Sequence, residues 1–183
     1  MTGDGERRMT RKKIHDYVAA NPGVHFNELA RALDLAPGQV QYHLRKLKRA
    51  DEIVEEPLYG RTHYFRPEYD ERERGALAVA RRETARDILV TLLINGPNTP
   101  NAVAEEIDIA RSTLEWHLDH LVEQGLVDKR RDDSNRITLV LADPESVTGL
   151  LRTVEPSLLA QLCKGFSRLV DGVFAVDAHP TDG

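Results

Sequence analysis

Ala36-Pro37-Gly38-Gln39-Val40-Gln41-Tyr42-His43-Leu44-Arg45-Lys46-Leu47-Lys48-Arg49 is the stretch whose reading decides the fold. Val40, Leu44 and Leu47 recur at the i, i+4, i+7 spacing of a helix, which gives it one apolar stripe. Pro37 suits a first helical turn, where its missing N–H costs nothing. Gln41, Tyr42, Arg45 and Arg49 project from the other side, and no acid occurs from Gln39 to Arg49. Such a face suits a DNA major groove, because Arg pairs with guanine, Gln with adenine, and further cations hold phosphates. In isolation it is equally the solvated basic side of a surface helix, so the flanking sequence has to decide.

Upstream, Ile14, Tyr17 and Val18 share one face of a helix from Arg11 to Ala20, which Asn21-Pro22-Gly23 stops. Phe26, Leu29, Ala30 and Leu33 define a second short helix, and Asp34-Leu35-Ala36 turns tightly into the third. Downstream, Glu52–Glu55 and Thr62–Phe65 read as strands around Leu58-Tyr59-Gly60-Arg61. The same order then recurs at an ungapped offset of 74 residues over roughly forty positions. Ile14 meets Ile88, Asn21 meets Asn95, Ala30 meets Ala104 and Asp34 meets Asp108. Val40-Gln41-Tyr42-His43-Leu44 meets Leu114-Glu115-Trp116-His117-Leu118, and Leu47 meets Leu121. A second hairpin, Val127–Arg131 and Ile137–Leu141, closes this copy.

The chain therefore divides into a flexible basic tail (1–10), a first domain (11–68), a helical linker (69–86) and a second domain (87–142). C-terminal helices follow (143–176), and then a short tail (177–183). The linker alternates Glu and Arg and is expected to run straight into the next helix, with Gly75 as its weakest point. Pro144–Val154 is expected to be a short helix. Beyond Pro156, Leu159, Leu162, Phe166, Leu169 and Val173 step by three and four, a stripe broad enough to require a partner. They are the candidate dimerisation residues. Cys163 lies on that stripe, either as an inert packed thiol or as a redox-active one.

Composition narrows the classes. A single cysteine among 183 residues excludes an intramolecular disulfide framework and a CxxC metal site. No apolar run approaches a membrane span and no secretory signal is visible, so a cytoplasmic protein without membrane contact is expected. The net charge of −5 hides a split: 12 basic and 10 acidic residues occur up to Glu68, against 13 and 20 after it. No phosphate loop, nucleophile elbow or zinc-protease helix occurs, so neither catalysis nor a cofactor is expected.

Three helices and a two-stranded wing with a basic third helix make up a winged helix-turn-helix. The stretch from His25 to Leu47, HFNELARALDLAPGQVQYHLRKL, resembles archaeal regulators of the ArsR/MarR-like winged-helix class. The whole chain is similar to archaeal transcriptional regulators carrying two such domains in tandem. The resemblance covers roughly residues 11–142 and implies a mainly α fold with small β-wings: two tandem winged helix-turn-helix domains, a helical linker and a C-terminal helix. It also implies a DNA-binding transcription factor, usually dimeric, with the third helix in the major groove. Two positions depart from the pattern. Asp34 and Asp108 stand where glycine is common, and Ala36 and Ala110 replace a Ser or Thr cap, a loss of about 1 kcal/mol.

The copies are not equivalent. Arg45, Lys46, Lys48 and Arg49 on the first third helix contrast with Glu115, Asp119 and Glu123 on the second. The candidate double-stranded DNA contacts are therefore Pro37, Gly38, Gln39, Gln41, Tyr42, Arg45, Lys46 and Arg49, with Arg61 on the first wing beside Tyr59, Gly60 and His63. Arg111, Ser112, Thr113, Lys129, Arg130 and Arg131 keep a phosphate-holding role open for the second copy. Trp116, in the slot of Tyr42, is either a partly packed surface aromatic or a contact for a protein partner. His43 and His117 are read as half-buried positions with a structural or a phosphate-contacting role; His117, Asp119 and His120 are the metal alternative. The expectation is a homodimeric transcriptional regulator. A winged-helix interaction scaffold and a redox- or ligand-switched regulator are the alternatives.

Overall fold

The computed structural model describes residues 2–157, so the candidate dimerisation residues and Cys163 lie outside the described part. The first unit contains α1 (Thr2–Ala20), β1 (Val24–His25), α2 (Phe26–Ala32), α3 (Pro37–Arg49), β2 (Val54–Leu58) and β3 (Arg61–Phe65). Then come α4 (Glu71–Ala80), α5 (Glu83–Asn95), α6 (Pro100–Glu106), α7 (Arg111–Glu123), β4 (Val127–Arg131), β5 (Ile137–Leu141) and α8 (Pro144–Val154).

The repeat is geometric as well as sequential. Adding 74 to the ends of α2 and α3 gives those of α6 and α7. Asp34 and Asp108 both take the left-handed conformation, at φ 52° and 53°, and each is followed by the same turn bond, Leu35 N–H to Ala30 O and Ile109 N–H to Ala104 O. Asp tolerates that conformation better than most residues, which is why the turn survives without glycine. A second matched pair follows the third helices: Asp51 at φ 53° and Gly125 at φ 65°.

Each unit has its own core. Ile14, Val18, Leu29, Val40, Leu44 and Leu47 are buried together in the first, which matches the apolar stripes of its three helices. Ile88, Leu89, Leu114, Leu118, Leu121 and Leu139 occupy the second, joined by Val147 and Leu151 of α8.

Four sequence expectations need correction. Residues 2–10 are not a tail but the first two turns of α1, since Glu6-Arg7-Arg8-Met9 joins without a breaker onto the packed helix. The wing of the first unit belongs to a three-stranded sheet, β1-β3-β2, in which Val24 pairs with Tyr64 and Val54 with Phe65. Its β2 starts at Val54 and runs on through Pro57, tolerated on the edge of the sheet. Tyr59 and Gly60, both at positive φ, form the two-residue turn. In the second unit the third strand shrinks to one bridge, Asn98 to Leu139.

The linker is the fourth. α4 ends at Ala80, Arg82 is extended (φ −81°, ψ 125°) and α5 starts at Glu83, so the helix is interrupted rather than continuous. Gly75 is not the weak point: it lies inside α4, where a Cβ would run into the side chain of Gln124. Leu77, Ala78, Val79 and Ala80 are buried in the second core. At the interruption the two arginines point to different neighbours. Arg81 donates to Pro22 O (2.8 Å) and pairs with Glu28 (3.1 Å) in the first unit. Arg82 reaches the first wing and the second third helix together, donating to Tyr59 O and lying 4.8 Å over the Trp116 ring.

Candidate nucleic-acid interface

α3 begins at Ala36, which has no side chain with which to cap it. Gln39 partly compensates, its Oε1 accepting from the Ala36 N–H at 3.2 Å. Val40, His43, Leu44 and Leu47 are buried, which anchors the helix by one side. Pro37, Gly38, Gln39, Gln41, Tyr42, Arg45, Lys46 and Arg49 are all exposed on the other. Lys46 Nζ sits 5.8 Å from the Tyr42 ring centre. Lys48 is drawn off this face by Glu55, at 2.6 Å. Among the described residues no carboxylate lies within 4.0 Å of Arg45, Lys46 or Arg49. Arg61 is exposed beside the first wing's turn.

On α7 the corresponding positions are filled by acids that bind the unit's own cations. Glu115, in the place of Gln41, accepts from Arg111 Nε at 3.0 Å and from Lys129 Nζ at 2.8 Å. Asp119, in the place of Arg45, holds Lys129 at 3.3 Å, and Arg111 also donates to Asn101 at 2.6 Å. The hydrogen bond from Lys129, opposed by partial burial and aided by Arg111, keeps the Glu115 carboxyl below its ordinary value. Arg130 and Arg131 are exposed, Arg131 donating to Asn135 at 2.7 Å, and Ser112 and Thr113 are open at the helix start. Three of the six candidate contacts on this unit, Arg111, Lys129 and, at the longer distance of 3.9 Å from Asp128, Arg130, are therefore already paired with acids within it.

The tip of the first wing is not free either. Tyr59 packs on His120 (ring centres 4.5 Å apart), and Trp116 packs edge-on against the same imidazole at 4.5 Å. Trp116 and His120 are the counterparts of Tyr42 and Lys46. Trp116 and Tyr42 are equally exposed, at 43% each, and what differs is that Trp116 meets Arg82 of the linker and, through His120, the first wing, while the Tyr42 ring meets His43 and Lys46 of its own helix. His63 is buried, its Nδ1–H donating to Gly23 O at 2.6 Å, and burial pushes its pKa down. It is a core residue of the wing.

His43 and His117 repeat each other. Both are buried, each lies edge-on to the preceding aromatic (Tyr42 at 5.1 Å, Trp116 at 4.8 Å), and neither Nδ1 has a hydrogen-bond partner. Burial, then nearby cations, lowers both pKa values: Arg11 and Arg7 act on His43, Arg82 and His120 on His117. Among the described residues no group of three or more His, Cys, Asp or Glu side chains could hold a metal. Among those residues, too, no helix is long and apolar enough to cross a membrane.

One feature of this surface is not evident from the residues alone. Because α1 starts at Thr2, Arg7 lines a groove with Gly38, Gln39, Tyr42 and His43 beside the first turns of α3. The signal is the run of helix formers Glu6-Arg7-Arg8-Met9, masked by Gly3 and Gly5 ahead of it.

Two three-helix units with wings, each with a helix-turn-helix at its centre, define the class, and comparison with known proteins agrees. Residues 8–77 match the family of an N-terminal HTH domain and residues 80–130 match a helix-turn-helix domain family, so the chain carries two tandem helix-turn-helix domains. Among curated proteins it is similar to an uncharacterized HTH-type transcriptional regulator of Methanocaldococcus jannaschii, at 30% identity over 128 residues. That match takes in 70% of this chain but only 32% of the relative, so the chain spans about a third of that protein's length. Among solved structures it is similar to NMB1585, a MarR family regulator from Neisseria meningitidis (21% identity, 53% of this chain and 63% of that one, TM-score 0.35). Another is reduced AbfR bound to DNA (14% identity, 73% and 93%, TM-score 0.38).

Proposed function

We propose that this chain is a sequence-specific double-stranded DNA-binding transcriptional regulator in which the first domain reads the duplex. α3 enters the major groove, with Gln41 and Arg45 placed for base edges and Lys46 and Arg49 for phosphates. The observation that carries this reading is the outward side of α3: an acid-free face whose Arg45, Lys46 and Arg49 are not spent on internal ion pairs among the described residues. The two helix-turn-helix matches and the regulator relative support it.

Two chains would meet two half-sites about one helical turn apart, or a multiple of it, on a pseudo-palindromic operator. The second domain, with its acids turned outward, serves mainly as scaffold, since carboxylates facing phosphates would forfeit the counterion-release contribution to affinity. Selection of bound duplexes from a random pool tests the reading. The expected result is an enriched sequence with two-fold symmetry whose binding weakens steeply with salt. No retention of any duplex at low ionic strength would overturn it, and an enriched site without two-fold symmetry would remove the homodimer.

A further inference from the structure

The first helix brings a second set of cations alongside α3, Arg7 exposed and Arg11 half-buried. Arg7 and Arg11 lie one turn apart on α1, so they share a side of it. Arg7 lines the groove against the start of α3, with Gly38, Gln39, Tyr42 and His43. Arg11 lines the adjoining groove with Arg8, Lys12, His15, Leu47 and Glu52, toward the end of α3. The row of arginines therefore runs alongside α3 from its first turn to its last.

The charges in this row are unequally occupied. Lys12 is tied to Asp16 at 2.6 Å, and Glu52 stands in the second groove. Arg7 is exposed, and the groove it lines contains no carboxylate. At Gly38 a Cβ would meet nothing within 4 Å, so the surface between Arg7 and α3 is open to an approaching strand.

Resting on the reading that α3 enters the major groove, we propose that Arg7 and Arg11 form a phosphate clamp along α3, gripping the backbone of the same duplex. A helix in the major groove has a phosphate strand on either side of it, and a cation row parallel to that helix meets one of them. Such contacts add affinity and fix orientation without choosing bases.

The test measures affinity for the selected duplex and for a scrambled one across a salt series. Arg7→Gln is the informative variant, because Arg7 is exposed and Gln keeps a polar side chain at the rim of the groove. Its slope of log affinity against log salt should become shallower by about 1, and that of Arg7→Gln/Arg11→Gln by about 2. Both duplexes should lose affinity by the same factor, several-fold at low salt, leaving base preference unchanged. An unchanged slope in Arg7→Gln overturns the clamp, and so does a loss confined to the selected duplex. Lys12→Gln should leave the slope as it is; an equal change there would overturn the placement at Arg7. Failure of the unsubstituted protein to bind any duplex is a different result, and it overturns the function proposed for α3 instead.

Discussion

α3 and α7 are the same helix built twice, with the same length, the same preceding turn and the same buried stripe, yet their outward sides do opposite things. On α3 the outward positions hold Gln41, Tyr42, Arg45 and Arg49, turned to solvent. On α7 they hold Glu115, Trp116, Asp119 and Glu123, of which the first three engage the chain's own Lys129 and Arg82. The comparison teaches that the buried stripe determines the fold, while the outward face is free to diverge, left open to solvent on α3 and engaged within the chain on α7.

The comparison predicts its own breaking points. The largest expected effect is on DNA affinity. Arg45→Ala should cost about 1–3 kcal/mol for the selected duplex, and Arg111→Ala well under 1, since Arg111 is already occupied by Glu115 and Asn101. Gel shifts at fixed salt measure both, and equal losses would erase the asymmetry. A smaller effect, on stability, should run the other way. Trp116→Ala removes a ring held by Arg82 and His120 and should lower unfolding free energy by about 1 kcal/mol, whereas Tyr42→Ala should stay within about 0.5. Denaturant titration separates them, and a larger loss for Tyr42→Ala would show the wing contact to be inert. Smallest is a repair of the first copy toward the second. Asp51 adopts the left-handed conformation that Gly125 supplies at the matching site, so Asp51→Gly should raise stability by about 0.5–1 kcal/mol. A fall in the same titration would mean that the Asp51 side chain contributes more than its backbone strain costs.

Much of this architecture is legible in the residues alone. The ends of α3, α8, β4 and β5 agree with the residues read from apolar spacing, from Pro37 and Pro144 at helix starts, and from the 74-residue offset. These signals are local, and the sequence carries them whole. What escaped is what depends on distant neighbours. No glycine or proline marks the interruption at Arg81 and Arg82; it follows from contacts with Pro22, Glu28, Tyr59 and Trp116, the nearest of which is more than twenty residues away. The placement of Tyr59 against His120 escaped for the same reason, since a wing turn with two positive-φ residues gives no sign of what it rests on. At the candidate interface, charge pattern distinguished α3 from α7 but could not tell which cations would be consumed internally.

The burial of Leu77–Ala80 and of Phe65 in the second core bears on how the molecule could be taken apart. The boundary between the two family matches, at residues 77 and 80, falls inside α4. A fragment cut there would leave one half with a bare aromatic and a stub of helix, and the other half missing part of its interior. The two halves match separate families, yet the second core takes in residues from both sides of that boundary.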